Sequence, residues 1–204
     1  MTMLDSFNTE SLMAVAAVLG FASGLRLYLV LFLVGMAGWL GWVQLPHGLQ
    51  VLQQPLLLTA SGLMVLVEFF ADKVPALDSI WDALHTLIRI PAGAALAAGV
   101  FGADHATTAA AAALLGGTLA ATSHLTKAGA RALINTSPEP VSNLIASTAE
   151  DALVVGLLAL LAAHPLAAAA AVALLVCAAI WLLPRVAGRI AALLRRLVAV
   201  VRAQ

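Results

Sequence analysis

The sequence predicts an all-α fold, a polytopic bundle of transmembrane helices, and three observations predict it. Of the 204 residues, 63% are hydrophobic and only 10% are charged, against roughly 25% charged in an average soluble domain. Mean hydropathy is +1.04, and the apolar residues fall in runs near the ~20 residues a helix needs to cross the hydrocarbon core. Short stretches such as NTSPEP, GADHA and AHP separate those runs with turn chemistry. A chain so poor in polar side chains cannot cover a water-facing surface.

Six segments are expected to span, at residues 11–44, 55–72, 79–101, 106–132, 141–163 and 166–184. The first is too long for one simple span. It contains GFASGLR at 20–26, where Gly20, Ser23 and Gly24 weaken a helix, so a broken or strongly tilted helix is expected with Arg26 just past the break. The second starts after Pro55, and the fifth follows Pro138 and Pro140. The tail, 185–204, spaces Arg185, Arg189 and Arg196 among aliphatics. It reads as a basic amphipathic helix on the membrane surface, beyond a single transmembrane domain of residues 1–184.

Two hairpin units, 55–101 and 106–163, show a weak internal repeat. Gly62, Glu68 and Asp72 run parallel to Gly117, Ser123 and Lys127, and Asp78, Asp82, Thr86 and Arg89 to Glu139, Asn143, Ser147 and Glu150. Two spans per unit would make the repeat a parallel one.

Orientation follows from Lys and Arg. With six spans both termini share a side, and that side collects Lys73, Lys127, Arg131 and the five tail arginines, while the loops at 45–54, 102–105 and 164–165 hold none. Both termini are therefore expected in the cytoplasm. The first ten residues carry Asp5 and Glu10 and no basic group, so a cleaved secretory signal is not expected. The single cysteine, Cys177, cannot form an internal disulfide.

The charges that remain are concentrated. Glu68, Asp72, Lys73, Asp78, Asp82 and Arg89 fall within 22 residues, with His85 among them. Asp78, Asp82, His85 and Arg89 recur at steps of four, three and four, one face of a helix. Glu139, Asn143, Ser147 and Glu150 make a similar stripe on the fifth segment, with Asp151 adjacent. Glu68 and Asp72 lie one turn apart on the second, and Ser123, Lys127 and Arg131 keep the same step on the fourth, with His124 beside them. An ionised group at the bilayer centre costs roughly 2.5–3.5 kcal/mol on insertion scales, so four such faces are expected to turn inward and wall a polar cavity.

Several uses of that cavity stay open. Asp72, Lys73, Asp78, Lys127 and Glu139 stand near the expected cytoplasmic boundary, where solvation alone would suffice for them. The deeper groups, Asp82, His85, Arg89, Glu150 and Asp151, fit a structural ion-pair network, for instance Arg89 with Glu150. They equally fit a substrate or proton site, with Asn143, Ser147, Glu68 and Arg26 contributing. There Asp82 and Glu150 would titrate, His85 would relay, and Arg89 and Arg26 would clamp an anion. Asp78, Asp82 and His85 also have metal-ligand spacing. Trp39, Trp42, Trp81 and Trp181 are expected as interfacial anchors, and Gly35, Gly38 and Gly41 as points of close helix packing.

No Ser/His/Asp, HExxH or Cys/His motif is present, so an enzyme is not expected, and no cofactor is assigned. The expected polar cavity favours a small transporter or permease for a polar solute or ion, with coupling to protons; the rival is a scaffold whose charges hold helices together. The expected partners are the lipid bilayer, a small polar solute or ion, and a second copy of the chain. Nucleic acid is not among them.

ASGLR at 22–26, DKVPALDSIWDALHTLIRIPAG at 72–93 and NTSPEPVSNLIASTAED at 135–151 together resemble an uncharacterised family of bacterial integral membrane proteins catalogued as domain of unknown function 4126. The resemblance covers roughly residues 10–185 and implies a multi-pass inner-membrane protein, with no activity attached. EFFADK at 68–73 is similar to an acidic motif of a cation-exchanger family, but it has one extra residue and no glycine, and the second hairpin lacks an acidic copy. No exchange activity is carried over from it.

Overall fold

The computed structural model describes residues 9–136 and 140–202; Glu139 lies outside them. The described residues form a bundle of α-helices: α1 (Thr9–Trp39), α2 (Pro55–Ala71), α3 (Pro75–Gly99), α4 (Ala106–Ile134), α5 (Pro140–Ala163) and α6 (Pro165–Arg202). Short 3-10 turns at His47–Gln53 and Ala103–His105 fill two of the connections. Proline marks the helix starts. Pro55 and Pro75 stand in the first turn of α2 and α3, and Pro140 and Pro165 open α5 and α6. Proline suits that place because the first helical N–H has no intrahelical partner to lose.

The six expected segments are all helical, but α1 is not a span of the expected kind. Arg26 has φ −143° and ψ 73° inside it, so the break falls on Arg26 itself. The packing shows how far the chain turns there. Residues 9–25 run parallel to α4, with Gly20 against Gly116 and Gly24 against Ala120. Helix α3 runs antiparallel to α4: Gly93 faces Ala120, Gly116 faces Ala97, and Asn135 bonds Asp78. Residues 27–39 follow the direction of α3 and oppose α2, with Tyr28 at His85, Phe32 at Gly62 and Gly35 at Leu52 and Leu58. The two arms of α1 therefore point in opposite directions. The helix is a hairpin whose tip is Arg26 and whose ends both lie at one end of the bundle.

That end, the Trp39 end, also holds the 3-10 turn at 47–53, with Gly48 packed on Gly99, and the α5–α6 turn, whose Pro165 shares a groove with Leu45, Pro46 and Leu49. The opposite end, the Asp72 end, holds the α2–α3 turn and the last turns of α4. Helix α6 leads toward it, Val186 meeting Gly129. Thr9 and Arg202 consequently lie at opposite ends, which corrects the expectation that both ends of the chain share a side. Counting the first segment as one span had forced an even number of passes; a hairpin returns the chain to where it entered.

By length and apolar content alone, α1, α5 and the Pro165–Ala192 part of α6 each suffice to cross a membrane, and taking two bent helix pairs as one span each raises the number from three to five, short of six. Helix α6 continues unbroken through Pro184 to Arg202, so the arginine tail extends the sixth helix and is not a separate element. Gly35 and Gly38 do pack closely, against Leu52 and Leu45. Gly41 packs against nothing within 4 Å and instead adopts φ +72°, a left-handed turn conformation that glycine reaches without steric cost. Trp39, Trp42 and Trp181 are exposed, whereas Trp81 stacks on His85 at 4.1 Å between ring centroids and is no anchor.

Candidate functional site

The tip of the hairpin meets the charged faces of four other helices. The break at Arg26 leaves the last carbonyls of the first arm without helical partners, and one of them, Leu25, accepts from Lys127 Nζ at 3.4 Å. Ser123 Oγ donates to the Phe21 carbonyl at 2.7 Å. Arg26 itself is buried and reaches α2 and α5 together. It pairs closely with Asp72. Its Nη2 donates to Ser147 Oγ at 2.8 Å and to the Ser147 carbonyl at 3.0 Å, and lies 3.4 Å from Glu150. Its Nε is 2.8 Å from Asp151 Oδ1, an ion-pair contact without hydrogen-bond geometry.

A second set forms around Arg89 on α3. Arg89 pairs with Glu68 of α2 and donates to Asp82 Oδ1 at 2.8 Å. It also approaches His124 Nδ1 at 3.2 Å. An arginine can only donate, so His124 Nδ1 accepts and Nε2 carries the proton toward Thr86 Oγ1 at 2.7 Å; Thr86 in turn donates to the Asp82 carbonyl at 3.0 Å. His124 is thereby held neutral. On α4, Lys127 Nζ stands among Asp82 at 3.3 Å, Glu150 at 3.5 Å and Asp72 at 3.8 Å. One turn on, Arg131 grips Glu150 with two bonds of 3.0 and 3.1 Å. It also bonds Asn143 Oδ1 at 3.2 Å and lies 3.8 Å from Asp78, whose other oxygen accepts from Asn135 at 2.9 Å.

Asp82, Arg89, Glu150, Asp151, Asn143, Ser147, Arg26 and Glu68 thus come together as expected, with Asp78 at the margin. Three expectations fail. Arg89 does not pair with Glu150: Lys127 and Arg131 of α4 and Arg26 at the hairpin tip take Glu150. His85 makes its hydrogen bonds outside the ion pairs, its Nδ1 to the Trp81 carbonyl at 2.8 Å and its Nε2 to the Tyr28 hydroxyl at 2.9 Å. With His85 gone from the set, Asp78, Asp82 and His85 do not form a metal site. Among the described residues no three His, Cys, Asp or Glu side chains gather to hold a metal ion.

Asp72, Asp78 and Lys127 were placed at a solvated boundary and are buried instead. Their signal was the helical step they share with Glu68, Asp82, Ser123 and Arg131; what the sequence lacked was depth. The α2–α3 turn is tight, with Asp72 N–H bonded to the Glu68 carbonyl and Asp78 N–H to the Val74 carbonyl, and it folds Asp72 under the bundle. Lys73, the next residue, stays outside, over the Phe69 ring. Tyr28 joins the polar interior with no spacing to announce it; His124 stands beside the α4 stripe, and Asn135 continues its step of four past Arg131.

Six carboxylates face four cations in this cluster: Glu68, Asp72, Asp78, Asp82, Glu150 and Asp151 against Arg26, Arg89, Lys127 and Arg131. Asp72 Oδ1, Asp78 Oδ1 and Asp82 Oδ2 are buried without a hydrogen-bond partner. Beside the cluster, a cleft of about 170 Å³ opens between the second arm of α1, α2 and α5, with Arg26, Glu68 and Asp151 at its base and Leu29, Val65, Phe69 and Val155 as walls.

No curated protein and no solved structure matches the chain. The family model described as "Domain of unknown function (DUF4126)" matches residues 13–185, nearly the whole bundle and every charged residue of the cluster, and the chain belongs to that family.

Proposed function

We propose that the chain is a small bacterial inner-membrane carrier, a transporter or permease that moves a small polar solute or ion with coupling to protons. The observation that carries this reading is the hairpin tip. A helix interrupted at Arg26 brings a cation and unpaired backbone into a buried set of carboxylates. Irregular backbone inside a membrane is tolerated only where it is buried in protein or lines a cavity, and carriers build their sites from such discontinuous helices. The carboxylate oxygens of Asp72 and Asp82 that lack partners accept protons without breaking a hydrogen bond. A proton on Asp82 would weaken its hold on both Arg89 and Lys127, leaving Arg89 to Glu68 of α2 and Lys127 to Asp72 and Glu150, so that the pairs toward α2 and α5 can rearrange. The arginine-rich Asp72 end faces the cytoplasm and the Trp39 end, where no Lys or Arg lies among the described residues, faces outward, by the positive-inside rule.

One observation favours the rival scaffold reading. Arg131 holds Glu150 in a two-bond grip, and each of the four cations meets at least two carboxylates. Liposomes containing the purified protein and a pH-sensitive dye separate the two. A carrier gives an internal pH change on addition of at least one solute from a panel of small cations, anions and neutral polar compounds, and Asp72→Asn and Asp82→Asn, folded by thermal unfolding, lose it. A folded wild type that is silent across the panel overturns the carrier reading. Fusion reporters at Gln204 and within residues 45–54 test the orientation, and an external signal at Gln204 reverses it.

A further inference from the structure

We infer that the groove at the Trp39 end is a lipid site, which takes one acyl chain of a phospholipid between the two arms of α1 and α5. Shape is the first argument. The groove holds about 430 Å³, within the range of small-molecule pockets, roughly 300–1,000 Å³. Leu12, Val15 and Leu19 of the first arm form one wall, at steps that keep them on one helix face. Val155 through Ala162 of α5 form another. Each wall covers seven steps of helix, about 10 Å. The hydrocarbon of one leaflet is about 15 Å deep, half of the ~30 Å core, so a chain entering from the Trp39 side is long enough to reach the floor.

Chemistry is the second argument. Among the described residues that line the groove, only Trp42 and Gln44 carry a polar side-chain atom. A void of this size left empty forfeits packing contacts along every wall. So apolar a lining does not hold ordered water either, because a buried water needs several polar partners. Hydrocarbon fills the space without either cost. Continuity is the third argument. Helix α5 is long and apolar enough to cross the membrane, with little of it buried inside the protein, and Val155 and Trp42 on the groove are exposed. The groove is therefore an inward fold of the lipid-facing surface, and acyl chains are the neighbours that reach it. Among the described residues no Lys or Arg lies at that end, so nothing there grips a phosphate. The site holds the chain and is indifferent to the head group.

Native mass spectrometry and thermal unfolding of the purified protein in detergent test the site. The wild type is expected to keep one phospholipid through a wash in excess detergent. Complete delipidation should lower its unfolding temperature. Palmitoyl-oleoyl phosphatidylethanolamine and the phosphatidylglycerol with the same chains should each restore it, at half-saturating concentrations less than tenfold apart. Ala37→Trp and Ala159→Trp fill the groove from the second arm and from α5, and two variants guard against one failing to fold. Each should purify without the lipid and show no shift on adding it. Leu174→Trp, on the exposed face of α6 outside the groove, should behave as the wild type. A wild type that keeps no lipid or gains no stability from it overturns the inference. So does unchanged retention in either folded groove variant, loss of the lipid in Leu174→Trp, or a head-group preference of tenfold or more. A lipid-free dimer overturns it as well, since a second copy of the chain would then cover the groove.

Discussion

The two sides of the α1 hairpin are built by different means. On one, the first arm packs on α3 and α4 almost backbone to backbone: a Cβ at Gly20 would strike the main chain of Gly116, and one at Gly24 the carbonyl of Ala120. On the other, α2 and α5 reach the tip through ion pairs to Arg26 and leave a cleft beside the second arm, which α2 meets closely only farther on, at Phe32 and Gly35. Close van der Waals contact has one good distance and resists sliding. Ion pairs on flexible stems can exchange partners, and Lys127, with carboxylates from three helices within 4 Å, already has alternatives. One side is a frame; the other is where the molecule can rearrange.

The largest test of this contrast concerns who pairs with whom. Arg89→Met takes from Glu68 and Asp82 their nearest cation, leaving Arg26 at 3.9 Å and Lys127 at 3.3 Å, and Glu150→Gln takes from Arg131 its two-bond partner, leaving Asp78 at 3.8 Å. Removing one member of a buried pair costs about 3–5 kcal/mol. Arg89 and Glu150 are not partners and communicate only through shared neighbours such as Lys127, so combining these two substitutions should recover little of either loss, measured by thermal unfolding in nanodiscs. Arg131→Met with Glu150→Gln, which removes both sides of a true pair, should recover most of what either loses alone. Recovery in the first combination would mean that the helices pair otherwise than described.

A smaller effect separates the frame from the open side. Gly20→Val drives a side chain into α4 and should cost about 1–3 kcal/mol through overpacking. Gly156 on α5 has nothing within 4 Å of an added Cβ, so Gly156→Ala should gain up to about 1 kcal/mol from helix propensity. Equal and small changes at both sites would dissolve the distinction. The smallest effect lies between the two sides, where Tyr28 supports His85. Tyr28→Phe removes one hydrogen bond, and a loss of about 0.5–1.5 kcal/mol is expected with solute-driven pH changes in liposomes unaffected. A loss of that response with stability intact would bring His85 back into the coupling path.

The sequence by itself determined the helices and the need to hide their charges. Prolines 55, 75, 140 and 165 begin four helices because of their own covalent structure, and apolar runs of spanning length cannot fold as anything else in lipid. The steps between Asp78, Asp82 and Arg89, and between Ser123, Lys127 and Arg131, fixed which faces turn inward, since helical periodicity is local. Tertiary structure alone decided the rest. One residue's φ and ψ, at Arg26, turned an expected span into a hairpin and moved Thr9 to the opposite end from Arg202; nothing in composition distinguishes a helix that bends there from one that reverses. Periodicity names a face but not its neighbour, so only the packing of the helices gave Glu150 to Arg131 and Glu68 to Arg89. Depth, too, came only from packing: Asp72 and Lys73 are adjacent in the chain, and the tight α2–α3 turn buries the first while leaving the second outside.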